Sequence, residues 1–252
     1  MQALGFYFSK VSIFFLILLF HHFDLEAKEN PPSSYYLSDT HPIKPTLDAL
    51  FSTSRVLLNE KSMKKAGFII SKPRPFTNLI IASHPAMPGY IFKLYLDAQR
   101  LHKHKPELHF WMMRIQGALA VRDTIETFQL QDLVKVPQKW LYQLPIKPKG
   151  KKGYIRRQYI LVEEDMDLVS SEDNERLWRS DYVTPDLLNA IYIILSKVGL
   201  RDCTKPDNLP FSWDGRVSFI DTQSHGGKVP FKRLESWLSP LNQLYWSKLT
   251  AP

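Results

Sequence analysis

The sequence has little that would hold a chain together covalently or span a membrane comfortably. Cys203 is the single cysteine among 252 residues, so no intrachain disulfide can form and the fold must depend on packing. The apolar run Val11–Phe20 is ten residues long, and a helix that crosses a bilayer needs about 20. No internal repeat is visible, which excludes an architecture of repeated units.

The chain does have enough apolar material for a folded core. Hydrophobic residues make up 44% of the sequence and aromatic residues 13%, a composition typical of globular proteins and not of disordered ones. The length allows one large domain or two small lobes. Lys and Arg outnumber Asp and Glu by 33 to 25, and this positive balance favours an acidic partner surface.

The amino terminus has the layout of a secretory signal peptide. Lys10 precedes the apolar run Val11–Phe20, polar residues follow it, and Ala27 lies near a possible cleavage point. We therefore interpret residues 1–27 as a cleaved leader and expect an exported protein, either periplasmic or secreted. An uncleaved anchor and a buried helix are the other interpretations of the same run.

The next part of the chain divides into a linker and a β-rich region. Residues 28–65 contain several prolines and are interpreted as a linker that leads into a short helix around Thr46–Asn59, where apolar residues recur at helical spacing. Three short β-rich runs follow, at residues 67–71, 77–83 and 89–97.

Lys93 lies inside the apolar run 89–97, where a lysine is unusual. It is either a residue of an edge or surface, or a cation directed into a cleft that holds an anion. A long helical stretch, Leu108–Phe128, comes next. Glu107 and Glu126 lie near its two ends, and each is a candidate to pair with Lys93 or an ordinary solvated charge.

A basic loop lies between two further strand-like runs, Leu133–Leu144 and Gln158–Glu163. Residues 147–157 of this loop form either a solvated hairpin tip or an electrostatic patch for an acidic surface. Membrane contact is expected only through this loop or the leader. Tyr154 is the one aromatic residue in the loop, so we expect no specific nucleic-acid binding.

A histidine-rich stretch precedes the long helix. His102, His104 and His109 lie near Glu107 and suggest either a metal site or a solvated loop. Their spacing matches no standard zinc pattern, which favours the loop.

The clearest helix begins near Thr184, a good N-cap, and ends at Gly199, a good terminator. An Asp-Gly pair at 214–215 then predicts a hairpin whose second strand, Val217–Ile220, ends at Asp221. With Asp202 and Asn208 in the intervening loop, three oxygen-bearing side chains converge at one edge, where they would hold Mg²⁺ and place a hydroxyl. In the alternative interpretation Asp221 simply caps a turn.

The order of these parts resembles that of the protein-kinase-like superfamily: a strand lysine, a long helix, two strands, a hinge, a second helix, then the acidic loop and hairpin. Arg201-Asp202 followed by Asn208 is similar to the catalytic-loop motif H-R-D-x-x-x-x-N, and Phe219-Ile220-Asp221 to the strand that leads into D-F-G. The order covers residues 66–227, and the specific motif only 199–221.

The resemblance implies an α+β, two-lobed protein-kinase-like fold. Residues 66–165 would form an N-lobe with an antiparallel sheet, and residues 166–252 an abridged, mainly helical C-lobe. ATP and Mg²⁺ would be the cofactors, and an unknown hydroxyl-bearing substrate or protein the phosphate acceptor. The residues implied are Lys93 for the phosphates, Glu126 as a candidate partner of that lysine, Glu163 near the adenine, Asp202 as the base, and Asn208 and Asp221 for Mg²⁺.

The sequence departs from the family pattern in ways that keep other functions open. Leu200 replaces the usual histidine, Asn208 follows Asp202 by six positions, and Thr222-Gln223 follows Asp221. No glycine-rich loop precedes Lys93. The alternatives are a catalytically weak pseudokinase that serves as a binding or scaffold module, and a basic protein that binds an acidic surface.

Overall fold

The computed structural model describes residues 31–53, 55–71, 78–97, 105–145 and 157–251. The chain divides into two units, Met1–Ser33 and Ser34–Pro252, and the strands and helices named here belong to the second. The expected leader 1–27, nearly all of the basic loop 147–157, His102 and His104 lie outside the described residues. Within the described part of the chain, no helix is both long and apolar enough to cross a membrane. Export therefore stays a prediction.

Five short strands form the main sheet, with all neighbours antiparallel and the order β1-β2-β3-β6-β5. A separate parallel pair joins β4 to β7. The strands are β1 (Ile69–Ile70), β2 (Ile80–Ser83), β3 (Tyr90–Leu94), β4 (Val134–Lys135), β5 (Lys139–Gln143), β6 (Tyr159–Glu164) and β7 (Val217–Ser218). The described residues thus form an α+β fold built on an antiparallel sheet, as the sequence predicted at this level.

Seven α-helices lie within the described residues. They are α1 (Lys44–Thr53), α2 (Glu60–Lys65), α3 (Glu107–Thr127), α4 (Ser171–Trp178), α5 (Pro185–Val198), α6 (Lys232–Glu235) and α7 (Pro240–Leu249). Short 3₁₀ turns lie at Val56–Leu58 and Pro206–Asn208.

The two faces of the main sheet pack against different parts of the chain. Side chains alternate along a strand, so Phe92 and Tyr142 point to one face, where they pack in a core with α1 and α2. Tyr95, Leu141 and Leu161 belong to another core, which contains Trp111 and Ile115 of α3. Helix α3 therefore lies against the same sheet face as Lys93, and this places its polar residues within reach of that lysine.

Helix α5 begins and ends as its sequence predicts. The Thr184 side chain accepts a hydrogen bond from the backbone of Leu187, and Pro185 occupies the first turn. Gly199 ends the helix with a φ of +70°, a left-handed conformation that glycine adopts without strain. The apolar face of α5 packs in the largest core with Val121 of α3, so the loop after Gly199 starts from a rigid support.

Two expected elements differ from those in the structure. The single helix expected at Thr46–Asn59 is instead α1, a 3₁₀ turn and α2, because Asn59 caps a new helix through reciprocal hydrogen bonds with Ser62. The hairpin around 214–215 is reduced to the two-residue strand β7 and an isolated bridge between Phe211 and Val217. Pro206–Asn208 forms a 3₁₀ turn where the first hairpin strand was expected to begin.

Candidate functional site

Three charged side chains from adjacent strands meet on the α3 side of the main sheet. Lys93 of β3 is 2.7 Å from Glu163 Oε1, and Lys139 of β5 is 3.3 Å from Glu163 Oε2. Glu163 lies on β6, the strand between the other two, and its backbone is paired with Lys139. All three side chains are at most 6% exposed. The carboxylate therefore balances one of the two lysine charges in a buried setting where water cannot.

The chain after β7 passes beside these lysines. The carbonyl oxygen of Ile220 accepts a hydrogen bond from Lys93 Nζ at 3.0 Å and one from Lys139 Nζ at 3.0 Å. Lys139 Nζ is also 3.3 Å from the hydroxyl of Thr222. These contacts place Asp221, which lies between Ile220 and Thr222, next to the two lysines.

Helix α3 supplies a third cation. Arg114 Nη1 donates to Asp221 Oδ1 at 2.6 Å, and the Thr222 hydroxyl donates to the backbone oxygen of Arg114 at 2.6 Å. Gly117 permits this approach, because a Cβ there would lie 1.9 Å from the Thr222 carbonyl oxygen. The arginine side chain is 6% exposed, whereas that of Asp221 is 34% exposed and is the most open of the group.

We call these five residues the ionic cluster: Lys93, Arg114, Lys139, Glu163 and Asp221. It contains three cations and two carboxylates, one positive charge more than it neutralises internally. Among the described residues, Arg114 Nε and Glu163 Oε2 are both buried without a hydrogen-bond partner, so the cluster contains one unsatisfied donor and one unsatisfied acceptor. Its excess positive charge is what favours an anion as a ligand.

The pKa values in the ionic cluster reflect this crowding. Burial would by itself raise the pKa of Asp221, but Arg114 and the two lysines outweigh it and lower that pKa to about 2. The pKa of Glu163 is lowered as well, since the adjacent lysines outweigh its burial. Burial lowers the pKa of Lys139 to about 8, although Glu163 opposes this change. Both carboxylates are thus charged at neutral pH.

The loop that contains Asp202 is attached to the chain beyond Asp221. The Ser224 hydroxyl donates to Asp202 Oδ2, and the backbone of Arg201 donates to Ser224 O at 2.9 Å. Cys203 Sγ donates to Asp221 O at 2.9 Å, and Asn208 Nδ2 donates to Asp202 O at 2.8 Å. A continuous set of contacts therefore links this loop to the ionic cluster, and Asp202 is exposed.

Most of the site residues predicted from the sequence lie in this set of contacts. Lys93, Glu163 and Asp221 are members of the ionic cluster, and Asp202 and Asn208 are linked to it through Cys203 and Ser224. The remaining predicted site residue is Glu126, which is exposed near the end of α3.

Neither of the two candidate partners of Lys93, Glu107 and Glu126, pairs with it. Lys93 pairs with Glu163 on the neighbouring strand, and Glu126 is exposed, in line with its other interpretation as an ordinary solvated charge. Glu107 instead accepts a hydrogen bond from the backbone of Gln158 at 3.1 Å, and burial raises its pKa to about 7. A carboxylate on an adjacent strand lies on the same face of the sheet as the lysine and is closer to it than a carboxylate at the end of a helix.

Two residues of the site were missed by the sequence reasoning. Lys139 follows Pro137-Gln138 and precedes the apolar residues 140–142, so its signal in the sequence was weaker than that of Lys93, which has apolar neighbours on both sides. Arg114 stands between Trp111 and Ile115, two residues of the apolar face of α3. A buried position for Arg114 was therefore readable from its spacing, although its partner was not.

One of the two residues expected to bind Mg²⁺ already has a cation on its carboxylate. Asp221 Oδ1 accepts a hydrogen bond from Arg114 Nη1, whereas Asn208, whose Nδ2 donates to Asp202 O, would offer only its Oδ1 to a metal. Within the described ranges, no group of three or more His, Cys, Asp or Glu residues is placed to hold a metal. His109 lies 3.2 Å from Lys105 Nζ, a cation that disfavours a metal at this histidine.

Comparisons with known proteins assign no family to the chain. No model of a protein family matches the sequence, and no curated protein matches it.

Proposed function

We propose that the protein has a kinase-like fold and binds a nucleotide, ATP in the first instance, through its phosphates at the ionic cluster. The main support for this proposal is that Lys93 contacts both Glu163 and the carbonyl oxygen of Ile220. Ile220 directly precedes Asp221 and lies 127 positions after Lys93 in the chain. In kinases a strand lysine that pairs with a glutamate and lies near the metal-binding aspartate holds the phosphates; there the glutamate comes from a helix, and here it comes from the neighbouring strand β6.

The order of the elements supports the same assignment. The lysine strand β3 is followed by the long helix α3, by β5 and β6 of the same sheet, and then by α4 and α5. The loop with Asp202 comes next, and Asp221 lies beyond β7. This is the order of parts on which the sequence resemblance rests.

The charges support an anionic ligand. The ionic cluster has one excess positive charge, and Asp221 marks its open side. Lysine and arginine are the residues that proteins use most for phosphate recognition. An uncompensated charge in a buried site is unfavourable, so a phosphate at the open side would stabilise the cluster.

Replacing Lys93 with methionine is expected to abolish ATP binding. The unaltered protein should be stabilised by about 2.7 kcal/mol when ATP is present at 100 times its dissociation constant. The measurement is calorimetric titration together with thermal unfolding, with and without Mg²⁺. Lys64→Met, at an exposed position on α2, is the matched control and should bind ATP normally. Failure of the unaltered protein to bind ATP in both buffers would refute the proposed function.

Phosphate transfer to a hydroxyl acceptor is a second candidate function, favoured by the exposed carboxylate of Asp202 and its attachment to the Asp221 segment. If Asp202 is the general base, Asp202→Ala should reduce transfer or ATP hydrolysis by about 10²- to 10⁴-fold. Asp207→Ala, at an exposed position in the same loop, should leave the rate unchanged. ATP binding without any turnover would instead support a pseudokinase that acts as a binding or scaffold module.

A further inference from the structure

Arg114 occupies the position beside Asp221 where a kinase-like site would need a metal ion. Its Nη1 is 2.6 Å from Asp221 Oδ1, and its side chain is 6% exposed. The position is firmly held, because the Thr222 hydroxyl donates to the Arg114 backbone and Gly117 brings α3 against the same segment. The guanidinium is therefore a permanent counter-charge of Asp221 in this fold.

A divalent cation at Asp221 would meet strong repulsion. Lys93 and Lys139 both donate to the oxygen of Ile220, one residue away, so three cations surround the carboxylate. These charges hold the pKa of Asp221 at about 2 despite its burial, so the carboxylate is already neutralised by the protein. A metal ion gains little from a carboxylate in this state and is repelled by its neighbours.

A polyphosphate faces the opposite balance. The ionic cluster carries one net positive charge that is not balanced within it. A phosphate is the anion that best matches guanidinium and ammonium groups, so it supplies the charge that the cluster lacks. The same features that repel a cation thus favour an anion without one.

We infer that the site binds its nucleotide as the free polyphosphate, and that Arg114 supplies the positive charge that Mg²⁺ supplies in other nucleotide sites. This inference rests on the proposed nucleotide-binding function, and it makes Arg114 a determinant of metal dependence. It also favours the binding module over the metal-dependent phosphotransferase.

The test compares ATP binding to the full chain in excess EDTA and in excess Mg²⁺ by calorimetric titration. The unaltered protein is expected to bind ATP at least as tightly in EDTA as in Mg²⁺. Binding that requires Mg²⁺ would overturn the inference and leave the nucleotide site intact. Absence of ATP binding in both buffers would overturn the proposed function itself, so the two failures are distinguishable.

Substitution of Arg114 tests its part in this behaviour. Arg114→Met should weaken ATP binding in EDTA by about tenfold or more and recover part of that loss in Mg²⁺, whereas Arg114→Lys should retain binding in EDTA. Arg122→Met, on the same helix, is the matched control and should behave as the unaltered protein. Equal loss in both buffers for Arg114→Met would contradict the assignment. If that variant does not fold, as judged by circular dichroism, the comparison of buffers on the unaltered protein decides alone.

Discussion

At pH 7, Glu163→Gln is expected to lower the free energy of unfolding by about 3–5 kcal/mol. Glu163 is 4% exposed and is the carboxylate partner of Lys93 and Lys139. Removal of this negative charge leaves Lys93 and Lys139 buried, with only backbone and hydroxyl oxygens as hydrogen-bond acceptors. An uncompensated buried charge is strongly destabilising. Urea-induced unfolding of the unaltered protein and the variant measures the difference.

Glu164→Gln provides the control for this substitution. Glu164 is the next residue of β6, and its side chain accepts a hydrogen bond from the backbone of Gln138, which glutamine can also accept. We expect a loss below about 1 kcal/mol. Combining Glu163→Gln with Lys139→Met should restore part of the stability, since one unpaired cation is removed. A loss for Glu163→Gln no larger than that of the control would show that the carboxylate does not neutralise the lysines.

The stability of the protein is also expected to rise between pH 8 and pH 9 because of Lys139. Burial lowers its pKa from 10.5 to about 8. In this range the unfolded chain still binds the proton that the folded chain has released, and stability rises with pH wherever the unfolded state binds more protons. Between pH 8 and pH 9 the gain is about 1 kcal/mol.

Lys139→Met should remove this rise, and urea unfolding at a series of pH values measures it. Lys64→Met, at an exposed position, should keep the slope of the unaltered protein. The series stops at pH 9, because burial raises the pKa of the Cys203 thiol, and this group lowers stability above that pH, where the thiol of the unfolded chain ionises. Equal slopes for the unaltered protein and Lys139→Met would contradict the assignment to this lysine.

The ionic cluster connects three parts of the unit Ser34–Pro252. The main sheet contributes the two lysines and Glu163, α3 contributes Arg114, and the segment after β7 contributes Asp221. A ligand that binds at this point would contact all three parts and stabilise their arrangement. Ligand binding is therefore expected to raise the folding stability of this unit. The same variants can be used to measure both quantities.

Several elements could be predicted because their signals are local. Helix α5 begins at a threonine cap followed by proline and ends at a glycine with positive φ, and each of these residues acts on its own neighbours. Strand β3 was identified from its apolar residues, and alternation then placed Lys93 on one face of it. Such features depend on a few consecutive residues, so the sequence contains enough information for them.

What the sequence by itself determined is therefore the type of many elements and the unusual position of Lys93. The tertiary structure alone decided that Lys93 pairs with Glu163 and that Lys139 shares this carboxylate. It also decided that Arg114 forms an ion pair with Asp221. Periodicity assigns a residue to a face but does not say which distant segment will cover that face. Strand order, the close approach at Gly117 and the path after β7 make those choices, because they depend on the packing of the whole unit.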